Sequence, residues 1–396
     1  MKVCIISLGC PKNLTDTEVL MGKLVTQGYQ ITTIEKDADF FIINTCAFLK
    51  SARNEVKATI KYLRKYKKKI YLAGCLPVWN RDLPFRTINS IGLFDSKTPR
   101  IKATQPWTAY VKIAEGCNNH CSYCLIPKIR GRLRFREIAD ILAEVKNLAQ
   151  KGVREIIYIA QETTTHPQLP ELLKKTAKIK KLKWIRFLYA HPKNLSNKLI
   201  KIIANEPKIC KYIDLPIQHI SDNILKGMNR TQKSGSDIEN LIFRIREAIP
   251  GIVIRTSLIV GFPGEKGSDF NKLLDFVSRI KFDKLGVFKY SREEGTPAAK
   301  MRGQVSQRVK DYRFQKIMAK QKKISKALNN SLIGRTFEVL CEGKRGSYFY
   351  GRTYRSAPGI DSEVRLMQCG QERYGRFVHA KVVSASAYDL TATLIT

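Results

Sequence analysis

From Tyr110 to Pro127 the chain reads YVKIAEGCNNHCSYCLIP, and Cys117, Cys121 and Cys124 form the spacing C-x3-C-x2-C. Three thiolates in so short a loop suit a metal cluster, since each can take a different iron of a cubane. Cubanes usually have four thiolate ligands, so a compact triplet implies either a distant fourth ligand or one iron left open for a substrate. Structural zinc is a competing reading, but such sites pair two CxxC-like hooks or add histidines at helical spacing. His120 lies inside the loop with no H-x3-H partner after it. A third reading, three packing cysteines, explains poorly why they crowd one loop.

Three further cysteines each follow a short apolar run. Val3 to Leu8, Phe40 to Ile43 and Ile70 to Ala73 read as strands, and the loops after them carry Cys10, Cys46 and Cys75. In a parallel sheet such loops share one edge, where α/β folds build their sites. The three can therefore converge on a second cluster, although three unrelated buried cysteines would fit the sequence too. Cys4, inside the first strand, reads as core, and Cys210, Cys341 and Cys369 as packing residues.

The elements that must position these residues are legible as patterns. Thr15 to Glu18 has capping-box spacing and predicts a helix through Val19, Leu20 and Leu24. Ser51 to Tyr66 is helical with a basic face, and Asn80 to Thr108 reads as domain end and linker. After the triplet, strands at 155–160, 184–189, 212–215, 253–260 and 284–290 alternate with helices at 138–151, 169–178, 197–204, 235–248 and 269–280. Strand and helix units of this kind predict a partly open parallel barrel with functional groups at the strand ends. Those ends carry Gln161-Glu162-Thr163, Tyr189-Ala190-His191, Pro216 to His219, Gly261 to Glu265 and Tyr290-Ser291-Arg292. Gly261 and Gly264 would let the backbone approach a ligand.

A basic amphipathic helix is predicted over 304–330, followed by five short strands at 336–341, 348–353, 363–366, 377–384 and 389–394. These predict a small OB-like barrel. Lys344, Arg345, Tyr348, Tyr350, Arg352, Tyr354 and Arg355 crowd one hairpin, as in surfaces that bind nucleic acid by charge and stacking. The expected domains are 1–101, 102–315, a connecting helix at 316–332, and 333–396.

The chain has 396 residues and a formal net charge of +37. Its length allows two or three cores, and the charge favours a polyanionic partner such as RNA or a ribosome over a plain solvated surface. Ten cysteines without an export signal argue for metal binding in a reducing compartment. No run approaches a membrane span, and the first residues read as a strand, so a cytoplasmic protein with no membrane contact is expected.

The motifs resemble two known patterns. C-x3-C-x2-C with Tyr123 before its last cysteine looks like the radical S-adenosylmethionine (SAM) superfamily, where the open iron chelates SAM and the aromatic lies beside the adenine. Three spread cysteines, this barrel and a C-terminal OB-like module together are similar to the methylthiotransferases. SLGCPKNLTDTE around Cys10, YIDLPIQHISDNILKGMNR and FKYSREEGTPAA resemble the branch that modifies an aspartate of small-subunit ribosomal protein S-twelve (RimO type). They resemble less the branch that modifies a tRNA adenosine (MiaB type).

The resemblance implies two 4Fe-4S clusters, on Cys117, Cys121 and Cys124 and on Cys10, Cys46 and Cys75, with the N-terminal domain capping the barrel mouth. It implies SAM contacts at Tyr123, Gln161, Gly261 and Gly264, with no acid or base residue at the heart of the chemistry. SAM cleavage would give a 5'-deoxyadenosyl radical that abstracts from the aspartate β-carbon, and the second cluster would supply methylated sulfur. The expected partners are ribosomal protein S-twelve or the small ribosomal subunit, RNA through the basic surface, and an electron donor such as flavodoxin or ferredoxin. From another class, a non-catalytic iron-sulfur protein that binds RNA or the ribosome also fits the composition.

Overall fold

The computed structural model describes residues 1–230, 233–367, 370 and 373–395; Cys369 lies outside them. The chain divides into two compact units, Met1–Gln168 with Ser291–Lys300, and Leu169–Tyr290 with Met301–Thr396.

In the first unit, apolar β-branched runs form a parallel sheet in the order β2-β1-β3-β4-β5. Its strands are β1 (Lys2–Ser7), β2 (Gln30–Ile31), β3 (Phe40–Thr45), β4 (Lys69–Gly74) and β5 (Arg86–Ile88). The central β3 is buried along its whole length, as a strand covered on both faces must be. Helices α1 (Pro11–Thr26), α2 (Lys50–Leu63) and α3 (Cys75–Trp79) follow β1, β3 and β4. On one face α2 buries Val56, Ile60 and Leu63 with Phe41, Ile43 and Leu72. On the other, α1 sets Leu20 and Leu24 on Val3, Phe40 and Ile42.

The sequence expectation differs from the structure at two places here. Helix α1 starts at Pro11 and not at the capping-box spacing, with Cys10 as its N-cap; proline at the first helical position needs no amide partner and fixes the entry. The segment read as linker contains β5 and then a strap held on α1. There Arg100 pairs with the fully buried Glu18, Ile101 N donates to the Glu18 carbonyl at 3.0 Å, and Ala103 N donates to Glu18 Oε1 at 2.7 Å.

The same unit continues with β6 (Thr108–Lys112), β7 (Ala114–Glu115), the cysteine loop, α4 (Ile126–Arg130), β8 (Arg134–Phe135), α5 (Ile138–Gln150) and β9 (Glu155–Ile159). Strands β6 and β9 are parallel neighbours.

In the second unit, α6 (Leu169–Ala177), β10 (Trp184–Phe187), α7 (Asn197–Asn205), β11 (Tyr212–Asp214), α8 (Asp222–Gly227), α9 (Gly235–Ala248), β12 (Val253–Val260), α10 (Gly267–Ile280) and β13 (Lys284–Lys289) keep the predicted alternation. Strands β11, β12 and β13 form a parallel sheet in that order. Helix α11 (Gln307–Asn330) leads to β14 (Thr336–Arg345), β15 (Tyr348–Arg352), β16 (Val364–Met367), β17 (Phe377–Ala385) and β18 (Leu390–Leu394). These five close into a barrel, β14-β15-β16-β18-β17, over Val339, Cys341, Leu366, Val382 and Ala392. Buried polar contacts fix the barrel to the parallel strands: Tyr212 OH donates to Asp361 at 2.7 Å, and Arg186, stacked on Tyr212, donates to the Tyr354 carbonyl at 3.0 Å.

Candidate cluster sites

Cys10, Cys46 and Cys75 stand just past the C-terminal ends of the adjacent strands β1, β3 and β4. The backbone brings them together by close approaches that only glycine allows before two of them. At Gly9 φ is +100°, and a β-carbon would lie 2.8 Å from Cys46 Cβ and 3.4 Å from its Sγ. At Gly74 φ is +83°, and a β-carbon would lie 2.5 Å from the Thr45 carbonyl oxygen. Cys10 and Cys75 then meet at one atom: their Sγ atoms lie 3.6 and 3.7 Å from Asn13 Oδ1. Asn13 is itself fixed, because its Nδ2 donates to the Thr45 carbonyl at 2.8 Å. Asn44 Nδ2 donates to the Asn13 carbonyl at 2.8 Å, which ties β3 to α1.

Electrostatics divide the three thiols. Burial pushes Cys10 up, but Lys12, Arg130 and the backbone amides of Asn13 and Lys12 outweigh it and leave the thiol lowered. Burial pushes Cys46 up to about 11 and raises Cys75 despite Arg130 beside it. For Cys46 and Cys75 a metal must therefore supply the charge that favours the thiolate, which couples binding to proton release.

The second triad lies in the loop between β7 and α4, and its three cysteines are half-buried. Asn119 N donates to Cys117 Sγ and Ile126 N to Cys124 Sγ, both at 3.4 Å. Amide donors of this kind are what ligand sulfurs of iron-sulfur centres use. The turn is closed by Cys124 N on the Cys121 carbonyl at 3.1 Å and by Cys117 N on the Gly131 carbonyl at 3.2 Å. Segment 291–300 braces it: Ala298 N donates to the Ser122 carbonyl at 2.8 Å and Lys128 Nζ to the Gly295 carbonyl at 2.6 Å. The same segment reaches α2, where Glu293 accepts from Lys50 N at 2.8 Å and pairs with Arg53 at 2.7 Å.

Between the two triads lies a buried charge network that local spacing does not reveal. Lys112 pairs with Asp16 and with Glu115, the latter at 2.6 Å. Arg130 pairs with Asp16 at 2.8 Å and Glu115 at 3.1 Å, and Gln161 Nε2 donates to Glu115 Oε1. Gln161 Oε1 is buried without a hydrogen-bond partner. An orphaned acceptor next to the cysteine loop is an expected position for a donor group of a bound ligand. Tyr123 is half-buried in the loop and His120 is exposed.

Among the described residues no three His, Cys, Asp or Glu side chains are grouped so as to hold a single metal ion. A cubane instead spreads its ligands over separate irons. All-sulfur donor sets, amide donors on the sulfurs and an orphaned acceptor fit two iron-sulfur clusters with a ligand beside one of them.

Gly261 and Gly264 belong to the second unit. The amides of Gly261 and Phe262 donate to Glu265 Oε2, and Gly264 N donates to the Gly303 carbonyl at 2.9 Å. The chain itself occupies these donors. Two other strand ends of this unit carry unusual backbone: Tyr189 and Gln218 have φ of 63° and 70°, a conformation uncommon in non-glycine residues.

On the C-terminal barrel, Arg345 lies over Tyr350 at 4.9 Å, Lys344 over Phe349 at 5.6 Å and Arg365 over Tyr348 at 4.7 Å. Two residues expected on this surface point elsewhere. Arg352 is buried in a bidentate pair with Glu342 at 2.7 and 2.9 Å, and Arg355 is held by Asp283 at 3.0 Å. Their partners lie ten and 72 residues away, so hairpin composition alone could not separate them from exposed cations.

Three segments match known families: residues 2–90 the uncharacterized protein family UPF0004, 111–277 the radical SAM superfamily and 333–395 the TRAM domain. Proteins named ribosomal protein uS12 methylthiotransferase RimO from Trichlorobacter lovleyi and Geobacter sulfurreducens are 43% identical to it over all of this chain and 98% of theirs. The chain belongs to the RimO family of methylthiotransferases. A third member, from Alkaliphilus oremlandii, is 40% identical over the whole chain. Among solved structures, a radical SAM methyltransferase, TsrM, from Kitasatospora setae with cobalamin and a [4Fe-4S] cluster bound aligns over 75% of this chain and 76% of its own. At a TM-score of 0.54 and 15% identity, that likeness concerns the fold alone.

Proposed function

We propose that this RimO family member methylthiolates the β-carbon of an aspartate in ribosomal protein uS12, using two 4Fe-4S clusters and SAM. The observation that carries this reading is the pairing of two cysteine triads in one compact unit, each held by its own backbone devices, in a chain so similar to RimO proteins along its whole length. We assign Cys117, Cys121 and Cys124 to one cluster and Cys10, Cys46 and Cys75 to the other. When bound, the first supplies the electron that cleaves SAM and the second supplies the sulfur.

The protein's own residues hold and shield. Amide donors from Asn119 and Ile126 stabilise ligand sulfur on Cys117 and Cys124, and segment 291–300 keeps the loop from opening. We assign Tyr123 to SAM by stacking and Gln161 by a hydrogen bond from a donor group to its Oε1, a reading that the orphaned acceptor supports. Gly261 and Gly264 stay as SAM contacts on family resemblance, with Gly264 open on its β-carbon side, where nothing lies within 4 Å. No acid or base is needed at the target carbon, because an unactivated C-H bond has no acidic proton. What the site must do is keep water away and hold the carbon still.

The TRAM barrel, through Lys344, Arg345, Tyr348, Tyr350 and Arg365, is suited to ribosomal RNA around the target protein. A small acidic one-electron carrier such as flavodoxin or ferredoxin complements the +37 charge as donor. Among the described residues no helix is long and apolar enough to cross a membrane, and we propose a cytoplasmic enzyme. The test is separation of the two steps. Cys10→Ala should abolish product yet leave SAM cleavage largely intact, whereas Cys117→Ala should abolish both. A Cys10→Ala protein with full methylthiolation would overturn the assignment.

A further inference from the structure

Arg130 is the last residue of α4, the short helix that starts directly behind the Cys117 to Cys124 loop. Only 1% of its side chain is exposed, and the guanidinium faces the other triad. Nη2 donates to Cys75 Sγ at 3.4 Å and to Asn13 Oδ1 at 2.7 Å. Nη1 donates to Asp16 Oδ2 at 2.8 Å and to Glu115 Oε2 at 3.1 Å. Asn13 Oδ1 is the atom on which Cys10 and Cys75 also converge. One side chain carried by the first triad's loop thus touches the second triad directly and through a single amide.

We propose that Arg130 is a positioning residue that sets the reduction potential of the cluster on Cys10, Cys46 and Cys75. The proposal rests on reading those cysteines as ligands of one cluster. Reduction adds an electron to the cluster, and a cationic donor on a ligand sulfur favours the more negative form. Burial keeps water and salt from screening the effect. Asp16 and Glu115, with Lys112 as second cation, balance the buried charge and hold the fork in plane, so the guanidinium has one orientation. Lysine keeps the charge but lacks a fork that reaches four partners from one position.

The experiment uses the full chain with Cys117, Cys121 and Cys124 all changed to Ala, reconstituted with iron and sulfide without oxygen. The remaining cluster is titrated with dithionite and followed by electron paramagnetic resonance. Arg130→Lys should make reduction at least tenfold less favourable, which is about 59 mV for a one-electron couple. In the complementary chain, with Cys10, Cys46 and Cys75 changed to Ala, the same substitution should leave the potential unchanged. No shift in the first chain, or equal shifts in both, would overturn the proposal. Should Arg130→Lys fail to take up iron, Arg130→Gln, which removes the cation and keeps an amide donor, gives the same reading. Failure of the underlying ligand assignment shows separately, because the first chain would then bind no iron even with Arg130 in place.

Discussion

Gly74 offers a direct test of how the chain assembles the N-terminal triad. It ends β4 at φ +83° and passes the chain straight to Cys75. A β-carbon there would lie 2.5 Å from the Thr45 carbonyl oxygen and 2.8 Å from Thr45 N, and would overlap Asn44 Oδ1. With ψ of −144° this is a backbone conformation held essentially by glycine alone, which costs another residue about 1–3 kcal/mol, and forced overlap in packed surroundings costs about 1–3 kcal/mol more. Gly74→Ala is therefore expected to destabilise the β3–β4 edge by about 2–6 kcal/mol. Gly152 serves as a positive-φ reference without overlap. Its φ is +96° with nothing within 4 Å of its β-carbon position, so Gly152→Ala should show only the backbone cost. Amide hydrogen exchange of β3 and β4 in the metal-free chain measures local opening. A cost of about 2 kcal/mol appears as exchange about 30-fold faster, with a parallel loss of iron after reconstitution. Exchange in β3 and β4 as slow for Gly74→Ala as for wild type would refute the reasoning.

Other substitutions probe the remaining parts. Glu293, with 2% of its side chain exposed, pairs with Arg53 and caps α2; Glu293→Gln should cost about 2 kcal/mol and make segment 291–300 a faster site of proteolysis. Burial, with Arg230 and Lys193 nearby, lowers His191 from 6.5 to about 2. A folded-state value below the unfolded one means that its contribution is complete above pH 6.5 and is lost as pH falls, by about 1.4 kcal/mol per unit. His191→Asn should accordingly flatten the fall of the urea midpoint between pH 7 and 5. Lys344→Glu with Arg365→Glu should weaken binding to small-subunit ribosomal RNA and reduce the salt slope by about 1 for each lost phosphate contact; an unchanged slope would remove this face from the interface.

The strand bounds of β3, β4, β12 and β13 and the helix α9 were legible because apolar periodicity there is unbroken and short turns leave no alternative. The convergence of Cys10, Cys46 and Cys75 was legible for a related reason: each follows an apolar strand, and those strands pair side by side in a parallel sheet. The start of α1 was missed because Thr15 to Glu18 imitates a cap, while Pro11 after Cys10 opens the helix a turn earlier. The strap over 99–104 has linker composition, and only the buried Glu18, more than 80 residues away, makes it part of the fold. Arg130 stayed hidden for the same reason. Its partners Asn13, Asp16 and Cys75 lie 117, 114 and 55 residues away, and a basic run such as IPKIRGR looks solvated until those contacts are known.

The central claim is tested most directly by product mass. The reconstituted protein, given SAM and dithionite without oxygen, is offered a loop peptide of uS12 beside an anticodon stem-loop that carries isopentenyl-adenosine. The account predicts that the peptide gains the mass of one sulfur and one CH2, localised to the aspartate, while the RNA stays unchanged. The same gain on the RNA with an unmodified peptide would contradict it.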